Sequence, residues 1–319
     1  MSYAIINLKK KKVFDHIEVN EICDELEIKV PEFKENKQEK YAKKINKLLK
    51  KYKVSNVVLS NDLKASNDFK NFIMQNNNYI ITGKKLYKVL IPTIIRDVAK
   101  LMNFSKEKLN IAILIEEYNA DNIELIKTIA DEVKSVSLIT NNAYRFEQLV
   151  DELLKSKGIV VQLLNKGKVN LKRKQIIINL DYSNVEIEKL NVQNESIIIT
   201  NSIVPQKMKN GFNGIVIRDI DIYLNKEIER FRSLELCEAY MYNYMKRLKE
   251  NELLFKRSTY KINGYIGNNG KIQQEDFERI GKIFMKNKKP ITKNNTWQTF
   301  WKWVSYTIVS LGVKLGSRW

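Results

Sequence analysis

The residue types that could do chemistry are sparse in this sequence. His16 is the only histidine, set in Phe14-Asp15-His16-Ile17, where a neighbouring aspartate can orient an imidazole for acid or base work. Without a second histidine, hydrolysis at a His-ligated metal and most triad chemistry fall away, and a strand-like segment gives a lone histidine a structural or exposed place. Cys23 and Cys237 stand far apart without CxxC spacing, so neither a disulfide framework nor a zinc site is indicated. Both read as buried small hydrophobes. A denser polar set closes two apolar runs: Asn179, Asp181 and Ser183 after one, Thr200, Asn201 and Ser202 after the other. At strand ends such residues would line a crevice at the C-terminal edge of a sheet, which is where open α/β sheets bind ligands.

The elements that must position them are read from hydrophobic spacing. With 319 residues and 44% apolar content, the chain can bury a full core in roughly two domains of about 100 to 200 residues. Short β-like runs at Tyr3 to Leu8 and Glu27 to Val30 flank a short helix expected around Asn20 to Leu26. From Glu39 to Tyr52, Tyr41, Ile45, Leu48, Leu49 and Tyr52 fall at helical spacing, and lysines fill the other face as a solvated surface. Then come a strand at Asn56 to Ser60, a helix near Asp68 to Gln75, a strand at Tyr79 to Thr82 and a helix from Lys84 to Asn103, which Pro92 would kink or divide. A clearer alternation follows: strands at Ile111 to Ile115, Val136 to Thr140 and Ile159 to Leu164, with helices at Asp121 to Val133 and Ala143 to Lys155. Further strands are read at Gln175 to Leu180, Ser196 to Thr200 and Gly214 to Ile217. Continuous Ile/Val/Leu runs bounded by turns are what a parallel sheet covered on both faces requires. The expected fold is therefore α/β, a doubly wound, mostly parallel Rossmann-like sheet preceded by a smaller α/β domain. The expected domains are 1–105, 106–225, a helical segment with a short strand over 226–290, and a tail over 291–319.

Two of these stretches carry a resemblance. Val136-Ser137-Leu138-Ile139-Thr140-Asn141-Asn142-Ala143-Tyr144-Arg145-Phe146 resembles the second strand and following helix of shikimate dehydrogenases and glutamyl-tRNA reductases, and Gln175-Ile176-Ile177-Ile178-Asn179-Leu180-Asp181 resembles a later strand of theirs. The resemblance covers about residues 109 to 224. It implies an NAD(P)-type domain in which the turn at Asn141, Asn142 and Arg145 meets the adenosine ribose or its phosphate, with Asn179, Asp181, Thr200 and Asn201 at neighbouring strand ends. The first turn departs from that pattern. Dinucleotide binding needs glycines there, because the backbone must approach the pyrophosphate and present helix N-terminal amides to it. Here the turn reads Ile115-Glu116-Glu117-Tyr118-Asn119-Ala120-Asp121, with no glycine and three carboxylates that would repel a pyrophosphate. Asp121 suits an N-cap or first-turn acid. Further on, Asn268-Asn269-Gly270-Lys271-Ile272 through Phe277 resembles the latter half of an EF-hand loop. Tyr265 and Gly267 hold the early ligand positions, where calcium needs side-chain oxygens, so the stretch reads as a turn leading into a helix and no metal is expected.

Charge and the chain's end add a third theme. The formal charge of +19 would draw the protein toward nucleic acid or anionic lipid. Lysine, isoleucine and asparagine are together abundant, as an AT-rich genome imposes, and arginine, the bidentate reader of phosphates and guanines, is scattered singly. All four tryptophans, Trp297, Trp301, Trp303 and Trp319, fall near the end. Residues 297–315 form an amphipathic stretch whose uncharged run, bracketed by Lys302 and Lys314, is well short of the ~20 residues of a bilayer span; the stretch suits an interface, docking on the body or a partner, or a frame-shifted end. The apolar run at the N-terminus is shorter than a signal peptide's core and precedes the lysines, so a cytoplasmic protein is expected, with a membrane-peripheral one as the alternative. As a whole the chain resembles conserved proteins of AT-rich Gram-positive bacteria, which implies no activity. Three function classes stay open: a non-catalytic or cryptic-ligand Rossmann-like protein without a resident cofactor, binding at the strand ends of residues 109 to 224; an NAD(P)-dependent oxidoreductase of shikimate-dehydrogenase-like architecture; and a peripheral membrane or nucleic-acid-binding protein.

Overall fold

A computed structural model describes residues 3–9, 16–22, 25–60, 63, 65–133, 135–201, 212–224, 233–248 and 260–286. Asp15, Cys23, Ser202 and the tryptophan-bearing tail lie outside them.

The N-terminal segment builds a five-stranded sheet from β1 (Tyr3–Leu8), β2 (Glu18–Ile22), β3 (Glu25–Val30), α1 (Gln38–Lys51), β4 (Asn56–Leu59), α2 (Asn67–Met74) and β5 (Tyr79–Ile81), followed by α3 (Lys84–Leu101). Its strand order is β2-β3-β1-β4-β5, with only β2 antiparallel to its neighbour. The helix expected around Asn20 to Leu26 is not formed: Asn20 to Ile22 belong to β2 and Glu25 and Leu26 to β3, which pair antiparallel. Leu26, Ile28 and Val30 alternate inward and are fully buried, and that two-residue period overrides the helical spacing of Val19, Ile22 and Leu26. The lysine-rich helix is as expected: α1 buries Tyr41, Ala42, Ile45 and Leu49.

α3 runs unbroken through Pro92. A proline removes one helical hydrogen bond, but Leu90, Ile91, Ile94 and Ile95 are all buried around it, so packing holds the axis. Gly83 enters the helix left-handed, at φ 72°. The first-turn amide of Leu86 is capped by Glu238 Oε2 at 3.0 Å, from a helix far along the chain.

The second sheet is built from β6 (Asn110–Leu114), α4 (Ala120–Glu132), β7 (Ser135–Ile139), α5 (Ala143–Lys157), β8 (Val160–Leu164), β9 (Asn170–Leu171), β10 (Ile176–Asn179), α6 (Asn184–Lys189), β11 (Asn191–Val192), β12 (Ile197–Ile199) and β13 (Ile215–Ile217). Six strands lie in the order β13-β12-β10-β6-β7-β8, and every pairing is parallel. Strand order 3-2-1-4-5-6 with this polarity is the Rossmann arrangement. β9 and β11 pair separately. The core strands read as continuous Ile/Val/Leu runs because helices or loops cover both faces.

The chain then adds β14 (Asp219–Leu224), α7 (Leu234–Leu248), β15 (Tyr260–Gly267), β16 (Gly270–Lys271) and α8 (Gln274–Lys286), the three strands forming an antiparallel sheet. The buried cluster that includes α3 draws on both large sheets, from Tyr3, Val58 and Ile81 to Ile111, Ile176 and Ile197, and also takes in Leu234, Cys237 and Phe277 of α7 and α8. Burial pushes the Cys237 thiol up to about 12, which keeps it protonated and unreactive. Among the described residues, no helix is long and apolar enough to cross a membrane.

Candidate functional site

In a doubly wound sheet the ligand crevice opens where the chain reverses its direction of winding. Here that point lies between β6 and β10, which are neighbours in register from Ile111 against Ile176 to Leu114 against Asn179. The turn leaving β6 and the turn leaving β10 therefore face each other, and their residues decide what the crevice can hold.

Asp181 reaches across it. Its Oδ2 accepts hydrogen bonds from the backbone amides of Glu116 at 3.2 Å and Glu117 at 3.1 Å. The ammonium of Lys88, on α3, stands 3.8 Å from Asp181 Oδ1 and donates to Asn122 Oδ1 at 3.3 Å. Successive main-chain amides of a turn, reinforced by a lysine, make an anion-binding arrangement. A carboxylate of the chain itself occupies it.

The turn is tied down on its other side as well. Asn119 is the N-cap of α4, its side chain accepting from the Asn122 amide at 2.9 Å, and Asp121 takes the first-turn place. Asn122, fully buried, returns its own side-chain amide to the Glu117 carbonyl at 2.8 Å. Tyr118 leans on the buried ring of Phe146, with centroids 5.2 Å apart.

Glu116 spans to the turn after β7. Its carboxylate accepts from the Asn141 amide and the Asn141 side chain, each at 3.1 Å, and from Thr140 Oγ1 and Asn142 Nδ2, each at 3.4 Å. Asn142 Nδ2 also meets the Glu116 carbonyl at 3.2 Å. Lys166 approaches Glu116 at 3.9 Å, ion-pairs with Glu186 and lies 4.4 Å from the centroid of the Tyr182 ring. The Lys166 ammonium, with the hydroxyl and amide of Ser183, holds the Glu186 carboxyl down at about 2. Ser183 and Glu186 form the capping box that opens α6.

On the β10–β12 side, Asn179 donates to the Tyr182 carbonyl at 3.0 Å and to Thr200 Oγ1 at 3.2 Å, and accepts from the Tyr182 amide at 2.9 Å. Tyr182, 2% exposed, passes its hydroxyl to the Ile139 carbonyl at 3.0 Å. Burial first, then the carboxylates of Glu116, Glu186 and Asp181, raise its phenol above the ordinary tyrosine range.

The structure thus gathers five of the residues singled out in the sequence, Asn141, Asn142, Asn179, Asp181 and Thr200, into one hydrogen-bonded net with Glu116. Arg145 stays outside: its Nε donates to Tyr144 at 3.0 Å and its guanidinium lies over that exposed ring. Among the described residues, Asn201 makes no hydrogen bond into the net. Sequence reading missed Lys88, Lys166 and Tyr182, and took Glu116 only as a source of repulsion. His16 lies apart, just before β2 of the first sheet, with Nε2 3.7 Å from Glu18.

No protein-family model matches this chain, and no curated protein matches it in sequence. Among solved structures, similar ones include a shikimate dehydrogenase in complex with NADP+, at TM-score 0.34 and 9% identity, covering 88% of this chain and 94% of that one. L-tryptophan dehydrogenase from Nostoc punctiforme is similar at TM-score 0.32 and 10% identity, covering 81% and 67%. Shikimate 5-dehydrogenase from Listeria monocytogenes, in complex with shikimate and NAD, is similar at 0.30 and 10%, covering 70% and 86%. The Rossmann assignment rests on strand order and register.

Proposed function

We propose that this chain is a Rossmann-like protein that acts through binding rather than hydride transfer, with its dinucleotide crevice ligated from within. One observation carries the reading: the two amides that would receive a pyrophosphate are held by Asp181. A dinucleotide entering there would have to displace a paired carboxylate and place its own charge beside Glu116 and Glu117, an unfavourable exchange on both counts. Space for another ligand lies elsewhere, in a cavity of about 450 Å³ lined by Asp97, Ile262, Tyr265, Lys271 and Phe277.

Thermal unfolding of the full chain with NAD+, NADP+ and inorganic pyrophosphate tests the proposal, since a ligand bound to the native state raises its melting temperature. The wild type is expected to show no saturable shift with any of the three. Asp181→Ala, which frees both amides and leaves Lys88 in place, is expected to gain a pyrophosphate-dependent shift. Saturable stabilisation of the wild type by NAD+ or NADP+ overturns the reading and returns the protein to the oxidoreductases.

A further inference from the structure

The crossover from β8 to β10 carries no helix over residues 165–175, only a short 3-10 turn and β9. Parallel crossovers usually lay a helix over the sheet. Leu171 and Val169 of this crossover pack onto the sheet, and at its corner away from the crevice a lysine side chain also lies against the strands. The Lys174 amide donates to the Leu171 carbonyl at 3.0 Å and its carbonyl accepts from Ser196 Oγ at 2.7 Å, which fixes the backbone on both sides. Its side chain then runs across to β7, where Nζ meets Ser137 Oγ at 2.6 Å. Ser137 is 1% exposed and passes its hydroxyl to Gln162 Oε1 at 3.3 Å.

The Lys174 side chain is partly buried, and among the described residues its charge is faced by no carboxylate, only by the Ser137 hydroxyl. A serine hydroxyl is a neutral acceptor and returns little of the hydration an ammonium loses on burial. Burial accordingly lowers the Lys174 ammonium from the ordinary lysine range. Lys172 and Arg173, both exposed, stand next to it in the chain and favour the approach of an anion.

We propose that Lys174 is a reactive amine and the chain's preferred site of acylation by small anionic acyl donors such as acyl phosphates. The uncharged Nζ attacks the carbonyl carbon, a C–N bond forms, and the C–O bond to phosphate breaks. Phosphate leaves with the bonding pair, and the extra proton on nitrogen passes to water. The product amide is uncharged, keeps an N–H for Ser137, and ends the cost of holding an unpaired ammonium in that corner.

Brief exposure of the folded full chain to acetyl phosphate near neutral pH, followed by site-resolved mass spectrometry, tests this. Each unit by which an amine's value falls gives about tenfold more free base at a fixed pH below it, and reduced access and lower basicity offset part of that gain. Lys174 is expected to acetylate at least about fivefold faster than the more exposed Lys172 and Lys189. Gln162→Glu, at an exposed position, puts a carboxylate behind Ser137. It should abolish the preference and move the midpoint of the Lys174 pH–rate profile upward. Labelling of Lys174 no faster than Lys172 overturns the proposal. So does an unchanged profile in Gln162→Glu, or a preference that persists in the urea-unfolded chain.

Discussion

Alanine at Glu116, at Asp181 and at both together tests whether the crevice is held by one latch or by two unrelated contacts. Asp181 accepts two amides at 3.2 and 3.1 Å. Hydrogen bonds to a charged group contribute roughly 1.5–3 kcal/mol each when well formed. These are longer than the ~2.7–2.9 Å of the strong charge-assisted bond, and one donor belongs to an exposed turn, so about 2 kcal/mol is expected for Asp181→Ala in total. Glu116 accepts two donors from Asn141 at 3.1 Å and two weaker ones. Loss of its repulsion with neighbouring carboxylates trims the cost, and about 2 kcal/mol is again expected. The two sites share a residue: the amide of Glu116 is held by Asp181 while its side chain holds the turn at 140–142. Releasing the amide loosens the carboxylate, so the double variant should fall short of the summed single effects by about 1 kcal/mol. Urea unfolding at neutral pH, with unchanged m-values, measures all three differences. Additivity within about 0.4 kcal/mol would refute the single-latch argument, as would a neutral Glu116→Ala.

Acid should open the neighbouring contact first. The Glu186 carboxyl is held at about 2, below its ordinary value of 4.5, so its contribution is present above 4.5 and is lost as pH falls from there toward 2. Its side chain is 34% exposed, and screening reduces the contribution to about 1 kcal/mol. Glu186→Gln should be less stable by that amount at pH 7, and its stability should change less than the wild type's across the acid window, as followed by urea unfolding in steps of pH. At the other end of the protein, a Cβ on Gly281 would lie 2.1 Å from the Met102 carbonyl oxygen. Gly281→Ala should cost about 3 kcal/mol by forcing α8 off the end of α3; a loss under about 1 kcal/mol in the same assay would mean that α8 pivots freely there.

Much of the second sheet was legible because its strands are buried on both faces. Ile176-Ile177-Ile178 and Ile197-Ile198-Ile199 are wholly buried, and a run of that kind between turns has few other readings. β14 was equally legible and was missed: Ile220 and Ile222 alternate inward with the acids of Asp219 and Asp221 between them, but its partner β15 lies some forty residues on. The β2–β3 hairpin misled because apolar residues there satisfy helical and strand spacing together, and only pairing with β1 decides between them. In the crevice, the strand-end asparagines and Asp181 could be picked by position. Lys88 could not, since nothing local says that α3 passes the mouth of β6. The Lys174–Ser137 contact spans 37 residues and exists only because parallel register sets the approach to β10 two strands from β7.

The crevice follows from the same register. Whatever their sequence, the turns after β6 and β10 of this sheet are neighbours, and the first presents two amides toward the second. In a glycine-rich turn those amides stay open, and the close backbone approach that glycine permits leaves them to a phosphate. Here the turn carries two glutamates, and the third residue of the opposite turn, counted from Asn179, is an aspartate long enough to reach both amides. The acids at 116 and 117 and the acid at 181 are therefore parts of one arrangement. Glutamate at 116 would be an unfavourable neighbour for Asp181 if its side chain stayed nearby, but it turns outward to the Asn141 and Asn142 donors and Lys166, while Lys88 and the two amides neutralise Asp181. Glu116 and Asp181 each have their own set of donors, so the acids of the two turns stand side by side with their charges separately satisfied.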